Sequence, residues 1–305
     1  MKLSTPVPIT NLPFLIDYHS KMVFLGSCFT EHIGSKLNFY GFKVAVNPFG
    51  IVFNSTSLRI LLQRAVKNQI FTLEECTKHY SYLCHSDLNS KNPEQLVLNL
   101  NTALHELRAS LKTATHLFLT LGTAWVYRHI EKDIIVANCH KQPQHVFKKE
   151  LLSIEAITLD LKLISELAQQ INPDISITYT LSPVRHIKDG FIENQRSKSR
   201  LHEAIQNQID IKNASYFPAY EIAMDELRDY RFYARDMLHL NELGIDFIWS
   251  RFRESGIDNN TLPKQKAIEK YRNLSNHKAI DVATHQQLIA KVKEELASLY
   301  PDLHL

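Results

Sequence analysis

Residues 22–34 read Met-Val-Phe-Leu-Gly-Ser-Cys-Phe-Thr-Glu-His-Ile-Gly, and the remaining chain is best understood outward from this stretch. The apolar run Met22–Leu25 is typical of a strand that is buried on both faces, and Gly26 permits a sharp turn after it. Apolar residues then recur at helical spacing, at Phe29, Ile33 and Leu37. The pattern predicts a strand, a tight turn and a helix, with Ser27 on the turn.

A serine at the start of a helix has two interpretations. The unpaired N–H groups there can hold a developing oxyanion, which makes Ser27 a candidate nucleophile. Alternatively, the Ser27 hydroxyl is only the N-cap, with Thr30 and Glu31 in the first turn. The thiol of Cys28 is another candidate nucleophile, because a helix start lowers the pKa of a thiol. This segment alone leaves these alternatives open.

Strands and helices alternate through the rest of the chain. Further strands are predicted at 42–46, 116–121, 175–181 and 214–220, and helices at 57–66, 96–111, 153–171 and 198–209. A capping box at 72–75 predicts a short helix, whereas 77–92 reads as a loop and 124–150 as an irregular surface segment. Pro218 predicts that the last strand lies at a sheet edge. The alternation indicates an α/β fold, with a parallel sheet and helices on both faces.

The segments that follow the strands carry most of the candidate functional residues. In an open parallel sheet, ligands bind at the carboxyl ends of the strands. Ser27, the turn Asn47–Gly50, Thr123 and the segment Ser182–His186 all follow predicted strands. We therefore expect them at one edge of the sheet.

A hydroxyl nucleophile needs a base, and the base needs a carboxylate that fixes its tautomer. Asp236 and His239 supply both groups at a separation of three residues. Chance alone predicts about 0.7 such pairs in a chain with this many histidines, so the position after the last predicted strand carries more weight than the spacing. We expect Ser27, His239 and Asp236 to meet at the carboxyl edge. His186 is an alternative base, or else a substrate-binding or structural histidine.

The composition excludes several classes of function. The 305 residues carry 35 basic and 32 acidic side chains, a net charge of +3, with no block of Lys and Arg interleaved with aromatics. Nucleic-acid binding is therefore not expected. No apolar run approaches the ~18 residues of a membrane span, and prolines interrupt the first residues before a signal sequence can form. We expect a cytoplasmic protein without a membrane partner.

Cysteine usage predicts neither disulfides nor a metal site. The four cysteines are scattered, which suits a reducing compartment. Cys76, His79, Cys84 and His85 lie close enough in sequence to suggest zinc, but their spacing does not match common structural sites. No cofactor and no metal are expected.

Several short motifs occur in an order that resembles the GSCFA-domain family, a branch of the SGNH (GDSL-like) hydrolases. They are Gly26–Phe29, Asn47–Ile51, Leu121–Tyr127, Ala137–Lys141, Ser182–His186, Glu193–Lys198, Asp229–Tyr233 and Asp236-x-x-His239. The resemblance covers roughly residues 22–255. It implies a flavodoxin-like three-layer sandwich over 1–255, followed by a helical appendage over 256–305. It also implies an ester hydrolase with Ser27 as nucleophile, His239 as base and Asp236 orienting the base.

The sequence departs from the family pattern at two places. Thr30 occupies the fifth position of the signature, where we expect a harmless surface change. Gly122-Thr123-Ala124 stands where SGNH enzymes usually carry Gly-Asn-Asp, and a threonine hydroxyl reaches less far than an asparagine amide. The backbone N–H groups of Ser27 and Gly50 are then expected to hold more of the oxyanion charge.

Other residues are candidates for substrate contacts. His85 resembles the histidine of a family His-Ser pair and is expected to overhang the cleft. Arg185 and Arg196 either receive an acidic group of the substrate or have solvated or structural roles. Four further side chains are candidates either for cleft contacts or for packing and turns: Asn54, Trp125, Tyr127 and Asn138.

Two functions from different classes follow. The first is a serine esterase that removes an acyl group, for example acetyl, from a carbohydrate or other small ester. The second is a carbohydrate- or metabolite-binding module that kept the fold and lost the chemistry. Acyl transfer to an acceptor cannot be separated from hydrolysis by sequence.

Overall fold

The structure, a computed structural model, describes residues 5–209, 213–278, 280–301 and 303. Its strands are β1 Lys21–Gly26, β2 Lys43–Val46, β3 His116–Leu121, β4 Trp125–His129, β5 Ile134–Val136, β6 Phe147–Leu151, β7 Ser176–Leu181 and β8 Ala214–Phe217. Its α-helices are α1 Cys28–Phe39, α2 Ser55–Lys67, α3 Pro93–Thr113, α4 Ile154–Ile171, α5 Phe191–Ile209, α6 Ala219–Glu221, α7 Glu242–Gly256, α8 Leu262–Asn276 and α9 Val282–Leu299.

A parallel sheet forms the centre of the molecule. Within the described residues it has five strands in the order β2-β1-β3-β7-β8, and every neighbouring pair is parallel. Counted along the chain, this order is 2-1-3-4-5, which is characteristic of flavodoxin-like doubly wound sheets. The predicted α/β fold with a parallel sheet is confirmed. β8 lies at an edge, as Pro218 predicted.

Apolar side chains cover both faces of the sheet. On β1, Val23 and Leu25 join the core formed with α2, α3, α4 and α5, whereas Met22 and Phe24 join the core formed with α1 and α7. Successive residues of a strand point to opposite faces, so an unbroken apolar run supplies both cores at once. The sheet is therefore the middle of three layers.

The prediction for residues 124–150 is wrong. Strands β4, β5 and β6 in this segment form a small antiparallel sheet in the order β5-β4-β6. These strands have three to five residues, and polar side chains such as Lys148 interrupt any apolar alternation. Such short, half-exposed strands carry too few residues for a period to be visible.

Helix α5 begins at Phe191, well before the predicted start at residue 198. Its first turns bury Asn194, Ser197 and Lys198 instead of apolar residues. A helix that turns polar side chains inward has no apolar stripe over that part, so periodicity places its start too late. The capping box at Thr72 and Glu75 is present, although it opens only the 3-10 turn Leu73–Glu75.

The segment after α7 packs against the main body. Ile257 forms a parallel bridge with Ile16, and Ile268 of α8 is fully buried. On α9, Val292 and Leu296 are buried, whereas Leu288 and Leu299 are exposed. The boundary at residue 255 stays a prediction. In the part of the chain that the structure describes, no helix combines the length and the apolar character that crossing a membrane requires.

Candidate active site

The turn between β1 and α1 accepts only glycine before the serine. Gly26 has a φ of +142°, and a Cβ atom added there would lie 2.2 Å from the carbonyl oxygen of Thr120. The Gly26 amide donates to Oδ1 of Asn47 at 2.8 Å, which holds the turn against the segment after β2. This close backbone packing fixes where the next residue, Ser27, lies.

Ser27 occupies the N-cap position of α1, but its hydroxyl makes no capping hydrogen bond. Instead, the Ser27 Oγ donates to the Oγ of Ser182, 3.0 Å away, and the Ser27 residue is only 2% exposed. Ser27 therefore has the backbone position of an N-cap, but its side chain does not cap the helix. Ser182 Oγ also accepts from the Val184 amide at 3.3 Å, which orients it.

Asp236 and His239 form a compact unit on one exposed turn. Asp236 Oδ2 lies 2.6 Å from Nδ1 of His239, and Asp236 Oδ1 accepts from the amides of Leu238 and His239 at 2.9 and 3.0 Å. These hydrogen bonds, led by that from Leu238, lower the pKa of Asp236 to about 2. The carboxylate thus stays ionised at neutral pH and fixes the proton of His239 on Nδ1, which leaves Nε2 free to accept one.

A cleft of about 470 Å³ collects most of the predicted site residues. Its lining includes Thr123, His85, Arg185, His186 and His239. Ser27, Gly50 and Asp236 do not belong to the described lining, although Gly50 packs directly against the His85 side chain. Among the described residues, no hydrogen bond joins Ser27 to His239, and the Ser27 hydroxyl donates to Ser182 instead.

The two amides expected to hold an oxyanion are both engaged. The Ser27 amide donates to the Thr120 carbonyl at 3.1 Å, and the Gly50 amide donates to the Asn47 carbonyl at 2.7 Å. The Thr123 hydroxyl shares a hydrogen bond with Ser197 Oγ at 2.9 Å. Ser27 and Gly50 were expected to present free amides, and in this conformation they do not. The Ser27 amide is bonded to the sheet edge and the Gly50 amide is bonded within its own turn.

One face of α5 supports the backbone that follows β3 and β7, a role that the motif Glu193–Lys198 did not predict. Asn194 Oδ1 accepts from the His186 amide at 2.8 Å, and Ser197 Oγ accepts from the Ala124 amide at 2.7 Å. Lys198 Nζ donates to the carbonyls of Gly122 and Ser182 at 2.8 and 2.7 Å. The signal that could have found them is polar residues at positions i, i+3 and i+4 of one helix.

Burial changes the ionisation of three groups near Ser27. It lowers the pKa of Lys198 to about 7, and burial together with the charges of Lys198 and His239 lowers the pKa of His186 to about 4. Burial and the charge of Glu31 raise the pKa of Cys28. The expected lowering of the Cys28 pKa is thus reversed, which disfavours a thiolate nucleophile at neutral pH.

A comparison with protein-family models matches residues 21–252 to the GSCFA family. The chain belongs to the GSCFA family. The matched region contains Ser27, Ser182, Lys198, Asp236 and His239, and it ends inside α7. No curated protein matches the chain.

The fifth position of the GSCFA signature is not at the surface. Thr30 is fully buried, and its hydroxyl has no hydrogen-bond partner among the described residues. The expectation of a surface change is wrong, because α1 turns this residue toward the sheet, beside Phe29 and Ile33.

The two arginines considered for substrate contacts have different surroundings. Arg185 donates to the carbonyl of Met237 and lies over the ring of Tyr233, 4.9 Å from its centroid. It therefore ties the segment after β7 to the turn that carries His239. Arg196 is half exposed and pairs with Glu193 one turn away, so it faces solvent and not the cleft.

Asn54 and Asn138 both stabilise local backbone while they line the cleft. Asn54 caps α2 by accepting from the Ser57 amide at 2.8 Å, and Asn138 accepts from the His140 amide at 2.8 Å. Trp125 lines the cleft as well, and its ring lies under Lys149 Nζ, 4.7 Å from the centroid. Asn138 thus stabilises a turn and also lines the cleft.

The zinc alternative finds no support in the side-chain arrangement. Across the described residues, no three or more His, Cys, Asp or Glu side chains are grouped as a metal ion would need. Cys84 is fully buried, with its thiol directed to the Ser81 carbonyl, and His85 pairs with Asp87 at 3.0 Å.

Proposed function

We propose that this chain is a serine hydrolase of SGNH type that acts on ester bonds, with Ser27 as nucleophile and His239 as base. The observation that carries the proposal is the 2.6 Å contact between Asp236 Oδ2 and His239 Nδ1. A histidine held by a carboxylate in one tautomer, at the rim of a cleft, is arranged to accept a proton on its other nitrogen.

The reaction begins with a rotation of the Ser27 O–H bond. The hydrogen that Ser27 donates to Ser182 in the resting state turns toward the cleft and passes to His239 Nε2, while the Ser27 Oγ stays beside Ser182. Ser27 Oγ then attacks the ester carbonyl carbon, and the tetrahedral intermediate releases the alcohol, which takes the proton from His239. Water hydrolyses the acyl-enzyme by the same steps in reverse.

Ser182 supports the charged state of Ser27 in this scheme. Its hydroxyl accepts from Ser27 in the resting state, and a hydroxyl can also donate. When Ser27 loses its proton, the Ser182 O–H reverses and donates to the oxyanion of Ser27. A hydrogen bond to a charged oxygen is about twice as strong as a neutral one.

The test is pre-steady-state hydrolysis of p-nitrophenyl acetate. The wild type should release a burst of p-nitrophenol equal to the enzyme concentration, and Ser27→Ala should lose it. Ser153→Ala is the matched control, since Ser153 is a helix N-cap that does bond its helix. Equal bursts in the wild type and Ser27→Ala would refute the nucleophile.

The engaged donors favour a second candidate function. The amides of Ser27 and Gly50 are both bonded internally, and the hydroxyl of Thr123 is in contact with Ser197, so this conformation presents no free N–H at Ser27 or Gly50. A carbohydrate- or metabolite-binding module of the same fold would need none of them free. A fluorophosphonate that fails to label Ser27, while glycans still bind the cleft, would favour this candidate.

Acyl transfer is separated from hydrolysis by product analysis. If an acceptor sugar is added to the acyl-enzyme, a transferase gives acylated sugar in place of free acid. The proposal requires free acid as the main product.

A further inference from the structure

Lys198 is an unusual residue for the interior of this molecule. It is 1% exposed, and its Nζ donates to two backbone carbonyls, of Gly122 and Ser182. The ring of Tyr220 lies 5.4 Å from the same Nζ. Within the described residues, no carboxylate accepts a hydrogen bond from this amine. An amine here is therefore held only by neutral groups.

Stability alone does not account for a lysine at this place. Burying a charged amine among neutral groups is costly, and an apolar side chain of similar length would fill the volume without that cost. The depressed pKa of Lys198, about 7, expresses the same cost. The position of the amine therefore has to be explained by what it contacts.

The two carbonyls bound by Lys198 lie where the sheet ends. The last paired residues of β3 and β7 are Leu121 and Leu181, and the Ser182 amide still donates to the Leu121 carbonyl at 2.9 Å. Beyond Leu121 and Leu181 the two strands no longer pair, and the Lys198 amine binds the carbonyls of the residues that follow, Gly122 and Ser182. Lys198 thus fixes the backbone of the residue whose hydroxyl holds Ser27.

Several ionisable groups surround the amine from the neighbouring elements. Cys28 faces it from the start of α1, and His186 from the segment after β7, each close enough for an electrostatic interaction. Tyr220 covers it from α6. A neighbouring cavity of about 370 Å³, which Lys198 also lines, adds His202, Glu203, Glu221 and Asp225.

We propose that Lys198 is a positioning residue for Ser27: it holds Ser182 against the nucleophile, and its positive charge stabilises the Ser27 oxyanion through that contact. A catalytic role for Lys198 rests on the proposed function. The electrostatic effect of Lys198 on residue 27 can be measured without an ester substrate. Any anion at the side chain of residue 27 should be stabilised by the Ser182 hydroxyl and by the amine beneath it.

A thiol at position 27 reports this stabilisation directly. In a Ser27→Cys, Cys28→Ser background, the rate of alkylation by iodoacetamide is measured against pH, with the peptide that contains residue 27 followed by mass spectrometry. Lys198→Met and Ser182→Ala should each raise the apparent pKa of this thiol, so that its alkylation at neutral pH slows about tenfold. Combining the two should slow it little further, because both act along one chain of contacts.

A second readout uses the native serine. Fluorophosphonate labelling of Ser27 should slow about tenfold in Lys198→Met and Ser182→Ala, and kcat for p-nitrophenyl acetate should fall with KM nearly unchanged. The two proposals can fail separately. If the fluorophosphonate does not label wild-type Ser27, but the apparent pKa of the thiol still rises in Lys198→Met and Ser182→Ala, the proposed hydrolase is refuted and the positioning role stands.

An unchanged thiol profile in both folded variants overturns the positioning role, whether or not the wild type is labelled. If Lys198→Met does not fold, Ser182→Ala decides, since it keeps the carbonyl that Lys198 binds and removes only the hydroxyl. An unchanged profile in Ser182→Ala alone would then overturn the proposal.

Discussion

Ser27 and Ser182 stand 155 residues apart in the chain, and their hydroxyl oxygens lie 3.0 Å apart in the fold. They follow β1 and β7, which are not neighbours, because β3 lies between them. Neighbouring strands are about 4.8 Å apart, so the two backbones are separated by roughly 10 Å. The side chains therefore converge above the end of β3.

Replacing Asp236 by Asn should leave the fold intact and slow catalysis. The carboxamide keeps the shape but no longer fixes the His239 tautomer or stabilises the imidazolium, so we expect kcat to fall about 10³–10⁴-fold with KM nearly unchanged. Asp225→Asn, which disrupts an exposed pair with Arg228, is the control. The assignment of Asp236 fails if both variants turn over p-nitrophenyl acetate at the wild-type rate.

Replacing Gly26 by Ala should destabilise the protein more than the same change at Gly190. Both glycines have positive φ, +142° and +107°, but only at Gly26 would the new Cβ meet a backbone atom, at 2.2 Å from the Thr120 carbonyl oxygen. We expect a loss of about 3 kcal/mol or more at Gly26 and about 1–2 kcal/mol at Gly190. Urea unfolding of both variants measures the difference, and equal losses would contradict the steric argument.

Asp160 joins α4 to α2 through three hydrogen bonds. Its carboxylate accepts from the hydroxyls of Ser55 and Thr56 at 2.9 and 2.6 Å and from Arg59 Nε at 2.7 Å. Asp160→Ala leaves these donors unpaired in a largely buried site, so we expect the free energy of unfolding to fall by about 2–4 kcal/mol. The exposed Asp174 is the control, and its change to Ala should cost less than about 0.5 kcal/mol.

His186→Phe should change how stability depends on pH. The pKa of His186 is lowered to about 4, so between pH 4 and the ordinary value of 6.5 the unfolded chain binds a proton that the folded chain does not. His186 therefore reduces the stability of the fold as the pH falls through this range. A phenyl ring at this position can keep the contact with Phe53 and binds no proton.

The measurement is urea unfolding of both proteins at pH 4.5 and pH 7.5. The free energy of unfolding of His186→Phe minus that of the wild type should be larger at pH 4.5 than at pH 7.5, by about 1–3 kcal/mol. A difference that is independent of pH would show that His186 is protonated alike in the folded and unfolded states.

Local patterns were sufficient for the central sheet. The strands β1, β3 and β7 each have six residues and are buried almost throughout, and the apolar stripe of α4 runs along an 18-residue helix, so each pattern is long enough to be recognised. The strands β4–β6 were missed because they are short and half exposed. The start of α5 was misplaced because its inward face is polar, and an apolar pattern cannot reveal a buried lysine.

The order of apolar and polar residues along the chain was enough to specify a parallel α/β sheet. It also placed Ser27, Thr123 and His186 at the carboxyl edge of that sheet, because strand direction and side-chain alternation are local properties of the backbone. The Asp236–His239 contact is likewise local, since three residues of one turn suffice for it. The partner of the Ser27 hydroxyl was decided only by tertiary packing. Ser182 and Lys198 reach Ser27 from β7 and α5, and no spacing in the sequence encodes a distance between segments that meet only when the sheet is assembled.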